Sequence, residues 1–202
     1  MYKLIYEDKR LILSDVDGIL LDWTTHFHKY MSNLGYEKRP GPLTYRQEAN
    51  YPQLKDYKVR EIISYFNSSA WLLGLKPYMD ARSGVARLLE HGYKFHAITA
   101  MGNEDDWALK ARKINLAQVF GQDAFVEVTA TSMYDVDSKR EALSEYKDTG
   151  LPWIEDNWEN YKLGVELGLN AILMNHPHNN QQNYKNTQRV NNWSEICNLL
   201  LN

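Results

Sequence analysis

"LILSDVDGIL", residues 11–20, decides how this chain is read. Its apolar opening, Leu11 to Asp15, has the continuous hydrophobic character of a strand buried on both faces of a parallel sheet. At the strand's end stand Asp15 and Asp17, followed by Gly18. Neighbouring carboxylates repel, and burial disfavours their ionised form, so a positive group is required between or beside them.

Working outward, four more apolar segments read as strands: Lys94 to Thr99, Ala124 to Thr129, Leu151 to Glu155 and Asn170 to Asn175. Stretches with helical spacing separate them, at Met79 to His91, Glu104 to Asn115, Ser138 to Lys147, Trp158 to Leu167 and Trp193 to Leu201. This alternation predicts an α/β, Rossmann-like core: a parallel sheet with helices on both faces. One stretch breaks the pattern. Residues 24–75 are far too long for an ordinary connection and read as a small, mostly helical cap inserted after the first strand, leaving 1–23 and 76–202 as the core domain.

The insert is rich in aromatics and carries seven Lys or Arg against four Asp or Glu, a local charge of +3 that leaves −6 for the remainder. Two readings fit: aromatics filling a small subdomain's interior, or a lid that stacks on a ring and attracts an anion. The overall charge of −3 disfavours an extended nucleic-acid surface. With 44% hydrophobic residues the chain can build a real core. The single cysteine, Cys197, lies in an apolar run and reads as a buried, inert thiol, so no disulfide framework is expected. No run approaches the roughly 18 apolar residues of a membrane span, and no secretion signal is evident, which points to the cytoplasm and makes the sequons at Asn67 and Asn192 accidental. "HPHNNQQNYKNTQ", residues 176–188, reads as a polar surface loop. His176 and His178 have no cysteine or carboxylate close in sequence to complete a metal site.

In an open parallel sheet, ligands bind beyond the carboxyl ends of the strands, where strand order reverses. At those ends the sequence offers Asp15 and Asp17, then Thr99 with Ala100, Met101 and Gly102, then Lys139, then Asp156. Singly, each is a common cap or a solvated charge. Their order is more specific. "SDVDGILLD", "HAITA", "DSKREAL" and "WIEDNWEN" together resemble the four motifs of the haloacid dehalogenase superfamily of phosphotransferases, over essentially the whole chain.

The resemblance implies a Mg²⁺-dependent phosphomonoesterase. Asp15 would be the nucleophile that forms an aspartyl-phosphate, and Asp17 the acid and base, whose presence favours a phosphatase over the dehalogenase branch. Thr99 and the amides after it, Ala100 among them, would hold phosphate oxygens, and Lys139 would offset transition-state charge. The metal would be held by Asp15, Asp156 and the backbone carbonyl of Asp17. A cation meets a physical need here, because two like unit charges about 4 Å apart cost about 4 kcal/mol at an effective dielectric of about 20. Lys113 is a rival for the lysine, though it falls near a helix end and not at a helix start. The fourth motif departs from its common forms: Glu155 precedes Asp156, and Asn160 stands where a second Asp is usual, so their parts stay open.

"DVDGILLDW", "AILMNHPHN" and "RVNNWSEI" look like the deoxyribonucleotidase branch, which implies a 5'-nucleotidase acting on nucleoside monophosphates. Trp23, Phe27 and Trp71 are then the candidates for a base pocket. The alternatives are a phosphatase for another small phosphorylated metabolite, and a non-catalytic binding protein of the same fold.

Overall fold

The computed structural model of the chain describes residues 10–101, 106–133, 135, 137–180 and 187–202. The opening stretch is strand β1 (Leu11–Ser14), every residue of which is buried. After it come α1 (Trp23–Asn33), a 3₁₀ turn (Gln47–Asn50), α2 (Asp56–Asn67) and a second 3₁₀ turn (Ala70–Gly74), which form the helical cap. Then follow α3 (Ala81–Glu90), β2 (Lys94–Met101), α4 (Asp106–Phe120), β3 (Phe125–Ser132), α5 (Ser138–Ser144), β4 (Pro152–Glu155), α6 (Trp158–Glu166), β5 (Asn170–Met174), β6 (Arg189–Val190) and α7 (Trp193–Leu201).

Among the described residues the strands form one parallel sheet in the order β3-β2-β1-β4-β5-β6. The chain builds outward from β1 through β2 to β3, then crosses back to place β4 on the other side of β1. The reversal lies between β1 and β4, so the residues that follow those two strands face a common crevice. Leu13 is paired with both His96 and Trp153, and the Asp15 amide donates to the Ile154 carbonyl at 2.9 Å, which fixes the height of Asp15 against β4.

Several boundaries differ from the sequence reading. β2 runs two residues past Thr99, β3 ends at Ser132 instead of Thr129, and α4 reaches Phe120, because pairing and burial extend these elements beyond their most apolar stretches. α5 stops at Ser144, where a run of turns through residue 149 replaces the expected last helical turn. The two-residue β6 has no counterpart in the sequence reading: its hydrogen bonds to β5 come from backbone, which leaves little side-chain signature.

Two close contacts set the site's frame. The Gly164 position on α6 lies so near the Trp153 indole that a Cβ there would fall 2.4 Å from its ring, so only glycine lets this helix seat on β4. The cap is not a separate lobe in its packing. Phe27, Met31, Tyr51, Val59, Ile62, Ile63 and Phe66 belong to the same continuous apolar interior as Ile12, Ala97 and Ile154 of the sheet. Asn115 of α4 ties the cap's end down by donating to the carbonyls of Leu73 and Leu75 at 2.8 and 3.1 Å. Cys197 is buried and free, and among the described residues no helix is long and apolar enough to cross a membrane.

Candidate active site

Asp15, beyond β1, and Asp156, beyond β4, meet at the reversal point. With Glu155 they bring carboxylate oxygens within 4.8 Å of one another, all three side chains being buried. Lys139, in the first turn of α5, supplies the opposing charge. Its Nζ lies 2.9 Å from Asp15 Oδ1 and 2.8 Å from Glu155 Oε2, and 5.3 Å from the centre of the Trp153 ring. Lys113, the rival, is exposed on α4.

Three carboxylates face one ammonium here, which leaves a surplus of negative charge in a dry pocket. Burial, with Glu155 next, pushes the Asp15 carboxyl up to about 7, against the pull of Lys139. Asp156 is raised well above the ordinary carboxylate range by burial, Glu155 and Asp15. For Lys139 burial acts downward, but Asp15 and Glu155 overcome it and hold the ammonium charged. A divalent cation on oxygen ligands is the group this donor set fits, since it would remove both the surplus charge and the cost of ionising Asp15. Gly18 sharpens the fit. It sits at φ +81°, and a Cβ there would lie 2.7 Å from Asp156 Oδ2, so the loop approaches Asp156 as closely as backbone can.

Thr99 is buried two residues before the end of β2 and two beyond the Ala97 that pairs with Ser14, and among the described residues its hydroxyl has no hydrogen-bond partner. Ala100 next to it is half-buried, and Gly102 lies outside the described residues. A buried hydroxyl without a partner costs free energy unless a ligand oxygen meets it.

The two variant residues of the fourth motif have different surroundings. Glu155, fully buried, accepts from the amides of Asp156 and Asn157 with Oε1 at 3.0 and 2.9 Å while Oε2 holds Lys139. It orients the lysine and stiffens the Asp156 turn. Asn160 lies in the first turn of α6, where its backbone carbonyl accepts from the Trp153 indole at 3.1 Å.

Asp17 has a partner that no motif announced. Its carboxylate faces the guanidinium of Arg112, from the middle of α4, with Nη2 donating to Oδ2 at 2.8 Å and Nη1 2.7 Å from Oδ1. The Arg112 side chain has no exposed surface, whereas that of Asp17 is 27% exposed. Burial raises the Asp17 carboxyl, and Arg112 opposes the rise. Arg112 lies on the buried face of α4 with Ala108, Ala111, Asn115 and Leu116, a face that no amphipathic pattern marks in the sequence.

Of the rings expected to form a base pocket, Phe27 is the one the structure removes. Phe27 is completely buried, stacked on Trp23 at 4.7 Å and edge-on to Phe66 and Tyr51, so it fills the cap interior and offers no face to a ligand. Trp23 is 9% exposed and spends its indole N–H on Asn67 at 2.9 Å. Trp71 packs edge-on against Tyr30. Other rings border the acidic cluster instead. Tyr78 stacks on His176, His176 on His178, and His178 meets Tyr45 of the cap, each pair with centroids 5.0 Å apart. Tyr45 is half exposed as a residue, yet its hydroxyl is raised by burial and then by Asp156 and Glu155.

The start of the loop after β5, residues 176–180, packs onto the Asp156 turn; residues 181–186 lie outside the described residues. Asn179, buried, donates to the Asp156 and Met174 carbonyls at 2.8 and 2.9 Å, and His178 approaches Asp156 from the same side. The carboxylate that sequence proximity could not supply to the two histidines arrives from the neighbouring strand.

A sheet of this order, an acidic reversal point and a helical cap after the first strand define the haloacid dehalogenase-like fold. Solved structures agree. A haloacid dehalogenase-like hydrolase from Streptococcus pneumoniae superposes with a TM-score of 0.65 at 13% identity, covering 95% of this chain and 98% of that one. CbbY from Rhodobacter sphaeroides, in complex with phosphate, gives 0.59 at 15% identity over 93% and 96%. The D,D-heptose 1.7-bisphosphate phosphatase from B. bronchiseptica, complexed with magnesium and phosphate, gives 0.59 at 12% identity over 95% and 98%. No family model and no curated protein sequence matches the chain.

Proposed function

We propose that the protein is a Mg²⁺-dependent phosphomonoesterase working through an aspartyl-phosphate on Asp15. The observation that carries this reading is the convergence of Asp15, Asp156 and Lys139 at the strand reversal, with the unpartnered Thr99 hydroxyl on the adjoining strand. Asp15 and Asp156, with the Asp17 carbonyl, would hold Mg²⁺, which when bound neutralises the charge that otherwise keeps an anionic carboxylate from an anionic phosphate.

The chain's own residues then divide the work. The Asp15 carboxylate attacks phosphorus, and the bond to the leaving oxygen breaks as Asp17 delivers a proton to it. Asp17 next takes a proton from the water that hydrolyses the acyl phosphate, which returns Asp15 and releases phosphate. Lys139 balances negative charge on the transferring group while Glu155 holds it in place, and Thr99 donates to a phosphate oxygen. Arg112 keeps the Asp17 carboxylate at a fixed position between the two proton transfers.

For the substrate we infer a nucleoside 5'-monophosphate, whose base would stack near Tyr45 and Tyr78, the rings that border the acidic cluster through His178 and His176. Phe27 has no part in that reading. A non-nucleotide metabolite phosphate is the second reading, favoured by the sugar-phosphate name of one structural neighbour. Initial rates over a panel of nucleoside monophosphates, sugar phosphates and an aryl phosphate, with and without Mg²⁺, separate these. Equal turnover of sugar phosphates and nucleotides removes the nucleotide assignment, and substantial turnover by folded Asp15→Asn removes the mechanism.

A further inference from the structure

His176 and His178 follow β5 and stand over Asp156. Their Nε2 atoms lie 3.9 and 3.4 Å from the same oxygen, Asp156 Oδ2, and the donor atoms of all three residues fall within 4.8 Å of one another. Both rings are held in orientation. They stack on each other at an interplanar angle of 27°, Tyr78 stacks on the outer face of His176, and Tyr45 abuts His178. Asn179 pins the loop from below by bonding the Asp156 and Met174 carbonyls.

Each Nε2 faces a backbone carbonyl, Gly18 at 2.8 Å for His176 and Asp156 at 3.1 Å for His178. A carbonyl only accepts, so each Nε2 carries its ring's proton in this structure. One bland reading is that the two imidazoles merely brace these carbonyls. That reading needs only one donor per carbonyl. It does not account for both nitrogens converging on one carboxylate oxygen, with the rings locked so that neither can turn away.

We propose that Asp156, His176 and His178 form a second metal site, for a divalent transition ion such as cobalt, nickel or zinc. Imidazole nitrogen is a poor ligand for Mg²⁺ and a good one for these borderline ions, so the site differs in selectivity from the all-oxygen cluster that shares Asp156. On binding, each ring's proton moves from Nε2 to Nδ1 by exchange with water, so the rings stay neutral and Nε2 becomes the donor. The carbonyls of Gly18 and Asp156, now 2.8 and 3.1 Å from the two Nε2 atoms, would give up those hydrogen bonds and move aside for an ion held by Nε2. The inference shares Asp156 with the phosphatase reading but uses neither Asp15 nor Lys139, so the two are tested separately.

The test is Co²⁺ titration of the full-length, chelator-stripped protein, followed by calorimetry and visible absorption. The wild type is expected to show the d–d bands of a nitrogen-ligated ion. His176→Gln and His178→Gln keep an amide N–H for the carbonyls but lose the imidazole. Each should weaken Co²⁺ binding by at least about tenfold and lose those bands, with unchanged circular dichroism. Wild-type affinity and spectrum in both variants would overturn the site and leave only the bracing role. Should a variant misfold, spin-echo spectroscopy of Cu²⁺ on the wild type decides the matter: coupling to two imidazoles supports the site, and coupling to none overturns it. Asp15→Asn is expected to retain the Co²⁺ bands while losing phosphate-ester turnover, so the fate of one proposal is read independently of the other.

Discussion

Arg112→Met removes a guanidinium with no exposed surface and leaves the Asp17 carboxylate facing apolar volume of similar size. Removing one member of a buried ion pair costs about 3–5 kcal/mol, because the remaining charge is left uncompensated. Asp17 keeps 27% of its side chain in contact with solvent, so water can recover part of that loss and the expected cost lies near ~3 kcal/mol. In a chain of 202 residues that corresponds to a fall in Tm of about 6–12 °C. Asp17→Asn should cost less, since Arg112 then faces a neutral acceptor. Combined with Arg112→Met it should cost little beyond the arginine change alone, because no unpaired charge remains. Urea denaturation of the four proteins gives the coupling energy, expected at about 2 kcal/mol or more. A coupling below ~0.5 kcal/mol would mean that the pair behaves as a solvated surface bridge, and Arg112 could not be what fixes Asp17.

The other expectations concern the acidic cluster. Glu155→Gln replaces the lysine's second acceptor and should destabilise the fold by about 2–4 kcal/mol, lowering kcat more than KM; wild-type Tm and kcat in the purified variant would refute the orienting role. Gly18→Ala forces a Cβ to within 2.7 Å of Asp156 Oδ2 at a positive φ, so Mg²⁺ affinity measured by calorimetry should drop by more than about tenfold, and unchanged affinity would show that Asp156 is not a ligand. The pH dependence follows from Asp15, whose carboxyl is raised from its unfolded value of 3.8 to about 7. The folded state binds this proton more tightly, so the associated stability is complete below about pH 4 and is lost as pH rises to about 7, about 4 kcal/mol in all. Mg²⁺ displaces that proton, so the Tm gain at a fixed Mg²⁺ concentration should grow between pH 6 and 8, and should become flat in Asp15→Asn. A pH-independent gain in the wild type would contradict it.

Strand-end chemistry was legible because local pattern and topology agree. An apolar run followed by Asp15, Thr99, Lys139 or Asp156 marks a parallel strand or the start of its helix, and the alternation of elements sends those ends to one edge. What sequence could not supply were contacts made across the fold. The Arg112 charge sits 95 residues from its partner Asp17, and nothing near it in sequence tells a buried cation from a solvated one. The histidines of the β5 loop lacked a carboxylate because theirs comes from the neighbouring strand. The part of Glu155 stayed open in the sequence because its partners, two backbone amides and the Lys139 ammonium, are contacts that only the fold brings together. The aromatic cap misled through Phe27: composition counts rings but does not say which of them face inward.

The shared apolar interior has a mechanical corollary. A lid that swings on two linkers needs a lubricated seam, whereas Phe27 and Phe66 are continuous with Ile12 and Ile154 through dry, packed side chains. Opening such a seam would uncover hydrocarbon on both sides, so heating should melt helical roof and sheet floor in a single calorimetric peak. Any widening of the rim around Tyr45 would then have to come from side-chain rotation and not from rigid-body travel.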